Sequence, residues 1–169
     1  MEATVEHVLI EWKDFDPTSP LEVLIDQRIN SLAGLLSPDI SRPSEFRALE
    51  CLGYFEDGAF PRYGLIFKSP RHNTTTLPTS LYELLGKNED SSLPDLGQKF
   101  DLAKQLASSI LRLHDCGWIH GSFRSSNVIF FDGDDGDRVS INPSLSDSFV
   151  VGFNYSRPSN LDESTLNTQ

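Results

Sequence analysis

Between Asp95 and Phe131 the chain reads as a long helix that passes through a short loop into an apolar strand, and no other stretch limits the fold as much. Asp95 and Gln98 have the spacing of a capping box. Phe100, Ala103, Leu106, Ala107, Ile110 and Leu113 recur at helical intervals and are the expected buried stripe of a helix running to about Cys116, with Gly117 suited to its C-terminal cap. The loop and strand follow as Trp118–Phe131, WIHGSFRSSNVIFF, in which His120 precedes Asn127 by seven positions. A helix must bury its stripe and a strand must pair, so the unit demands a mixed α+β domain.

The remaining elements supply partners. VEHVLIEWK, Val5 to Lys13, alternates like a strand. Ser19-Pro20-Leu21-Glu22 has the form of a second capping box with Pro at the first helical position. Leu21, Ile25, Ile29, Leu32 and Leu36 form the stripe of the helix it opens, and Pro38 ends it. ECLGYFED and RYGLIFK read as two strands joined by a turn. Residues 68–80, KSPRHNTTTLPTS, are polar and contain proline, as a linker would; a short helix, SLYELLGK, follows. After an acidic turn, SFVVGF reads as a last strand. The order predicts two lobes around a cleft: a small lobe over about 5–67, a linker at 68–80, a partial large lobe over 81–158, and a disordered tail at 159–169.

Composition excludes several classes. At 169 residues the chain is one domain's worth. Its 25 acidic against 14 basic residues give a formal charge of −11, unsuited to nucleic acid or anionic membrane surfaces. Charged residues break every apolar run well short of the ~18 residues of a membrane span, and MEATVEHVLIEW lacks the features of a signal peptide. The expectation is a soluble, cytoplasmic protein of unspecified oligomeric state. Cys51 and Cys116 are expected to be buried reduced thiols. The glycosylation patterns at Asn73 and Asn154 carry little weight without a secretory signal. DGDDGD, Asp132 to Asp137, fails as an EF-hand loop, since Gly136 would be its fifth position and Pro143 its twelfth. A solvated turn fits it better.

Protein kinases place a His and an Asn at the same separation in the catalytic loop H-R-D-L-x-x-x-N. The chain from about Val5 to Pro158 resembles the protein-kinase fold, from its third strand to just past the magnesium-binding motif. The pattern VLIEWK … CLGYF … GLIF … LASSILRLHDCGWIHGSFRSSNVIFF … VGFNYSRP is similar to the kinase-like domains of fungal proteins associated with prion-inhibition-and-propagation (HeLo) modules. The resemblance implies a truncated two-lobed fold, with a small β lobe carrying one helix and a partial helical lobe. It places Lys13 at the strand lysine that holds the α- and β-phosphates, His120 at the loop histidine and Asn127 at the asparagine of the second magnesium. Gly121 and Ser122 replace the loop's Arg and its catalytic Asp, and Arg124 stands where many kinases have Lys. Gly152, Phe153 and Asn154 occupy the D-F-G positions.

Two of these departures bear on chemistry. Phosphoryl transfer needs a residue to orient the attacking hydroxyl and a carboxylate to hold Mg²⁺. Ser122 is uncharged and weakly basic, and Gly152 has no side chain to offer a metal. Losing a general base typically costs about 10²–10⁴ in rate, and losing several kcal/mol of metal stabilisation costs a further ~10²–10⁴. From a kinase turnover of roughly 1–100 s⁻¹, the product is near one event per hour to per year. Set against the resemblance, the chain is also expected to lack a Gly-rich loop, an activation segment and the later helices of the large lobe. The lysine's usual Glu partner has as candidates only Asp26 and Glu22.

The resemblance therefore implies a catalytically inactive kinase-like domain that acts as an interaction or regulatory module with a protein partner. Any affinity for ATP would be weak and run through Lys13 and Asn127, with Mg²⁺ weakly held or not at all. Plainer roles stand beside these. Lys13 can be a solvent-reaching strand end, Asn127 can satisfy loop backbone, His120 can prop the loop, and Arg124 can pair with a nearby acid. One alternative is a weakly active protein or small-molecule phosphotransferase, since HGS followed by Asn is similar to the H-G-D-x-x-x-x-N loop of such enzymes. Another is a truncated fragment without independent function.

Overall fold

Strand β1 (Val8–Asp14) runs antiparallel to β3 (Arg62–Lys68), and β2 (Cys51–Glu56) pairs with the other edge of β3. The computed structural model describes residues 7–70, 77–86, 94–131 and 145–159. In β1, Glu11 lies opposite Leu65 and Lys13 opposite Tyr63. The two-residue period puts Leu9, Glu11 and Lys13 on one face. Helix α1 (Glu22–Leu35) covers the sheet with Ile25, Ile29, Leu32 and Ala33, and Leu36 beyond its end is fully buried.

The start of α1 corrects the expected capping box. The helix begins at Glu22 with Leu21 as its N-cap and no capping side chain. Upstream, the Thr18 amide donates to Asp16 Oδ1 and the Ser19 amide to the Asp16 carbonyl. Ser19 Oγ accepts from the Leu21 amide within that same turn. The turn engages Ser19 before a helix can form, so α1 starts later and Leu21 is left exposed.

A second sheet, in the order β4-β6-β7, joins Thr79–Ser80 (β4), Val128–Phe130 (β6) and Ser148–Val150 (β7), all antiparallel. β4 lies inside the stretch expected to be a linker. It leads directly into α2 (Leu81–Gly86). Helix α3 (Leu96–Asp115) opens with the expected capping box: Asp95 Oδ1 accepts from the Gln98 amide at 2.8 Å, and Gln98 Oε1 accepts from the Asp95 amide at 3.0 Å. Strand β5 (Trp118–Ile119) follows and pairs with β8 (Arg157–Pro158). The amide of Ser159 donates to the Gly117 carbonyl at 2.8 Å, so the start of the expected tail is bonded structure. Residues 160–169, the acidic turn at Asp132–Asp137 and Asn73 lie outside the described residues.

The buried face of α3 also differs from the expected stripe. Leu102, Ser109 and Leu113 are buried and Leu106 half-buried, whereas Phe100 is 66% exposed and Ala103 and Ala107 face solvent. Apolar residues cover more than one face of this helix, so hydrophobicity alone does not choose its rotation. Ser109 does: its hydroxyl donates to the carbonyl of Phe46 at 2.6 Å, and a buried hydroxyl must find such a partner.

One apolar cluster unites the elements. It joins Ile25, Leu32, Leu65 and Phe67 to Leu113, Trp118, Ile129, Val150 and Phe153, and a smaller cluster of Leu102, Val128 and Phe130 lies beside it. Phe131 is also buried, and Phe149 is half-buried against the main cluster. Backbone links the two sheets, because the Val150 amide donates to the Arg47 carbonyl and Ala48 bridges Val150. Cys51 is buried as expected. Cys116 is exposed, because it caps α3 with its amide returned to helical carbonyls and its side chain outside the core. Among the described residues no helix is long and apolar enough to cross a membrane.

Candidate functional site

The loop begins where Gly117, at φ +76°, ends α3 and turns the chain into β5. His120 follows and is buried. Its Nε2 stands 3.0 Å from the Val151 carbonyl, which can only accept, so Nε2 carries the proton; Nδ1 then accepts from the Ser122 amide at 3.3 Å. The ring packs against Phe153 with centroids 4.9 Å apart. Burial holds its pKa below the ordinary value of 6.5. Both nitrogens of this neutral imidazole serve the loop itself. Gly121 is at φ +74°, and a Cβ there would strike the Tyr155 carbonyl, so this position has no room for a side chain.

Ser122, Asn127 and Gly152 meet at one point. Asn127 ends a short 3-10 turn, Ser125–Asn127, just before β6. Its Nδ2 donates to the Ser122 carbonyl at 2.7 Å and to Ser122 Oγ at 3.1 Å. The Val151 amide donates to the Asn127 carbonyl at 2.9 Å, which brings the next residue, Gly152, against the Asn127 side chain. Gly152 adopts φ +84°, and a Cβ there would collide with the Asn127 amide. Arg124, at the head of the turn, is exposed and meets no acid among the described residues.

Sequence reasoning passed over Glu11. Its Oε1 accepts from the Gly152 amide and its Oε2 from the Phe153 amide, each at 2.7 Å. Burial raises its pKa, while these two amides and that of Asn154 pull it back down. With both oxygens accepting, the geometry is that of a carboxylate. Asn154 Nδ2 adds a bond to the Trp12 carbonyl at 2.8 Å, so β1 is joined to residues 152–154 by side chains from both directions. The strand pattern places an acid on the face of Leu9 and Lys13, where it needs donors, but does not say which donors they are.

Lys13 sits on that same face. Its Nζ lies 4.7 Å from the centre of the Tyr155 ring, within cation–π range. Burial lowers its pKa, and the positive charge of Arg28 on α1 lowers it further. Asp26, the candidate partner, instead accepts from the Tyr54 hydroxyl at 3.4 Å. The helix therefore brings a cation, not an acid, to bear on Lys13. Lys13, Ser122, Asn127 and Gly152 are thus connected through Glu11 and the 152–155 segment. Glu11 is the carboxylate built into this connection, and both of its oxygens are used. Among the described residues no three His, Cys, Asp or Glu side chains gather as a metal site. No protein family matches the chain, and neither does any curated protein.

Proposed function

We propose that the chain is a catalytically silent kinase-like module that works in the cytoplasm through a protein partner, with weak, metal-independent affinity for ATP. The observation that carries this reading is the closed circuit of Ser122, Asn127 and Gly152. The hydroxyl in the position of a catalytic base accepts from Asn127 Nδ2. The asparagine in a magnesium-ligand position spends both amide hydrogens on Ser122. The third position is a glycine whose missing side chain makes room for that asparagine. The element order also supports the reading, with a strand, a helix and two strands preceding the long helix, loop and strand.

The residues fit the two parts of MgATP unequally. Lys13, with the charge of Arg28 nearby, suits phosphate oxygens. Gly152 offers Mg²⁺ no side chain and Ser122 no carboxylate, so the neutral Oδ1 of Asn127, whose Nδ2 holds Ser122, has no charged ligand beside it from these positions. ATP would thus be held by cationic contacts and not through a metal bridge.

A thermal melt with millimolar ATP, in Mg²⁺ or in EDTA, tests the reading. A ligand at 100 times its Kd adds about 2.7 kcal/mol, which moves the midpoint of a domain this size by roughly 5–10 °C. The expected result is a smaller shift that persists in EDTA and disappears in Lys13→Met. Transfer of labelled phosphate from ATP by the unaltered chain would overturn the silent assignment, and an unmoved midpoint would remove ATP from it.

A further inference from the structure

We propose that a cavity at the junction of the two sheets, separate from the His120–Asn127 loop, is a binding site for a small phosphomonoester with an apolar or aromatic body. The cavity has a volume of about 600 Å³, within the usual range of small-molecule sites. It lies between the chain following α1, the ends of β2 and β3, and β7. It includes none of Lys13, His120, Ser122 or Asn127, so it does not depend on the kinase-like reading.

Its charge opposes that of the molecule. The chain carries −11 overall, yet among the described residues Arg42, Arg47 and Lys68 line this cavity against one acid, Glu50. An excess of two positive charges suits a phosphate dianion better than a monocarboxylate. Acidic surroundings would otherwise repel such a ligand, so local cations are needed to hold it.

Arg42 supplies an independent observation. Its Nη1 is shielded from solvent and has no hydrogen-bond partner. A buried donor on a charged group is costly to leave unmade, and a ligand oxygen would satisfy it. The guanidinium lies over the Phe46 ring at 5.5 Å, within cation–π range. Arg47 beside it has a left-handed backbone, φ 51°, uncommon for a residue with a side chain. That conformation lets its carbonyl accept from the Val150 amide while its Nη1 donates to the Ser146 carbonyl at 2.8 Å. The basic wall is thereby fixed to β7, and Ile40, Phe46 and Phe149 give the rest of the cavity its apolar surface.

Calorimetric titration of the whole chain with phenyl phosphate, and separately with inorganic phosphate, benzoate and phenol, tests the site. Saturable one-to-one binding of phenyl phosphate is expected, weaker for phosphate or benzoate alone and absent for phenol. Arg42→Gln and Lys68→Gln should each weaken binding about tenfold or more, with the melting midpoint showing that both variants fold. Lys13→Met should leave phenyl phosphate binding unchanged, which separates this site from any nucleotide contact at the loop. No saturation at about 10 mM phenyl phosphate, or affinity unchanged in both cavity variants, would overturn the proposal.

Discussion

Glu11 is the residue on which the loop region most depends. Its two oxygens satisfy the consecutive amides of Gly152 and Phe153. In Glu11→Gln an amide nitrogen replaces one oxygen and opposes a backbone N–H with another donor. The variant should lose about 1–3 kcal/mol, the cost of a buried donor left unsatisfied, read as a lowered urea midpoint with an unchanged slope. An unaltered midpoint would mean that water replaces the carboxylate, and the stitch would have no energetic weight. His120 gives a pH signature. Its folded pKa lies below 6.5, so between that lower value and 6.5 the unfolded chain binds a proton that the folded chain refuses. Stability from this group is complete above 6.5 and declines as the pH falls below it. Glu11, raised above 4.5, acts in the opposite sense: its contribution is complete below 4.5 and declines as the pH rises through the window above. Subtracting the urea midpoints of His120→Gln from those of the unaltered protein between about pH 7.5 and 5.5 isolates the histidine. The difference should shrink toward acid, and a flat difference would show that His120 titrates normally. The identities and spacing of His120, Ser122 and Asn127 could be read from the sequence; their shared bonds could not. The role of Glu11 was hidden because its partners are backbone amides 141 and 142 residues away, and backbone groups have no signature in the residue pattern.

Two helix starts with nearly the same sequence logic behave differently. Asp95 and Gln98 form a complete reciprocal cap at α3, while Ser19 serves the turn before α1 and caps nothing. Asp95→Ala should therefore lose about 0.5–2 kcal/mol, and Ser19→Ala only a few tenths, as for a local turn bond on the surface. Equal losses in chemical denaturation would contradict the late start of α1. The difference is physical: a capping pattern states that donors and acceptors are available, and a competing Asp16 turn decides whether they are used. The same limit explains α3. Its length and both ends were legible, but its rotation was not, because apolar residues occur around much of its circumference. The decisive contact is the Ser109 hydroxyl on the Phe46 carbonyl, 63 residues away. Leu96, Phe100 and Leu111 consequently remain exposed, at 69%, 66% and 57%.

At the scale of the whole molecule, strand and helix order was readable because period and turn chemistry are local, but the way in which the two sheets unite was not. The sequence suggested two lobes, which could melt separately. The apolar cluster instead runs from α1 and β3 through Phe67 and Phe153 to Trp118 and Val150, and the Arg47–Val150 backbone bond crosses the same junction. A core shared in this way should unfold as one unit, since neither half can open without exposing the other's apolar surface. The two tryptophans of the chain are placed to report on this. Trp12 lies on β1 with the Arg62 guanidinium 3.9 Å above its ring, and Trp118 is buried on β5. Trp118→Phe leaves a fluorescence reporter on the first sheet, and Trp12→Phe leaves one beside α3. After allowance for any change in each variant's overall stability by circular dichroism, both reporters should follow the loss of secondary structure in urea. If fluorescence from either tryptophan departs from the circular dichroism curve of its own variant, that end opens first, and the continuous core does not couple the two sheets.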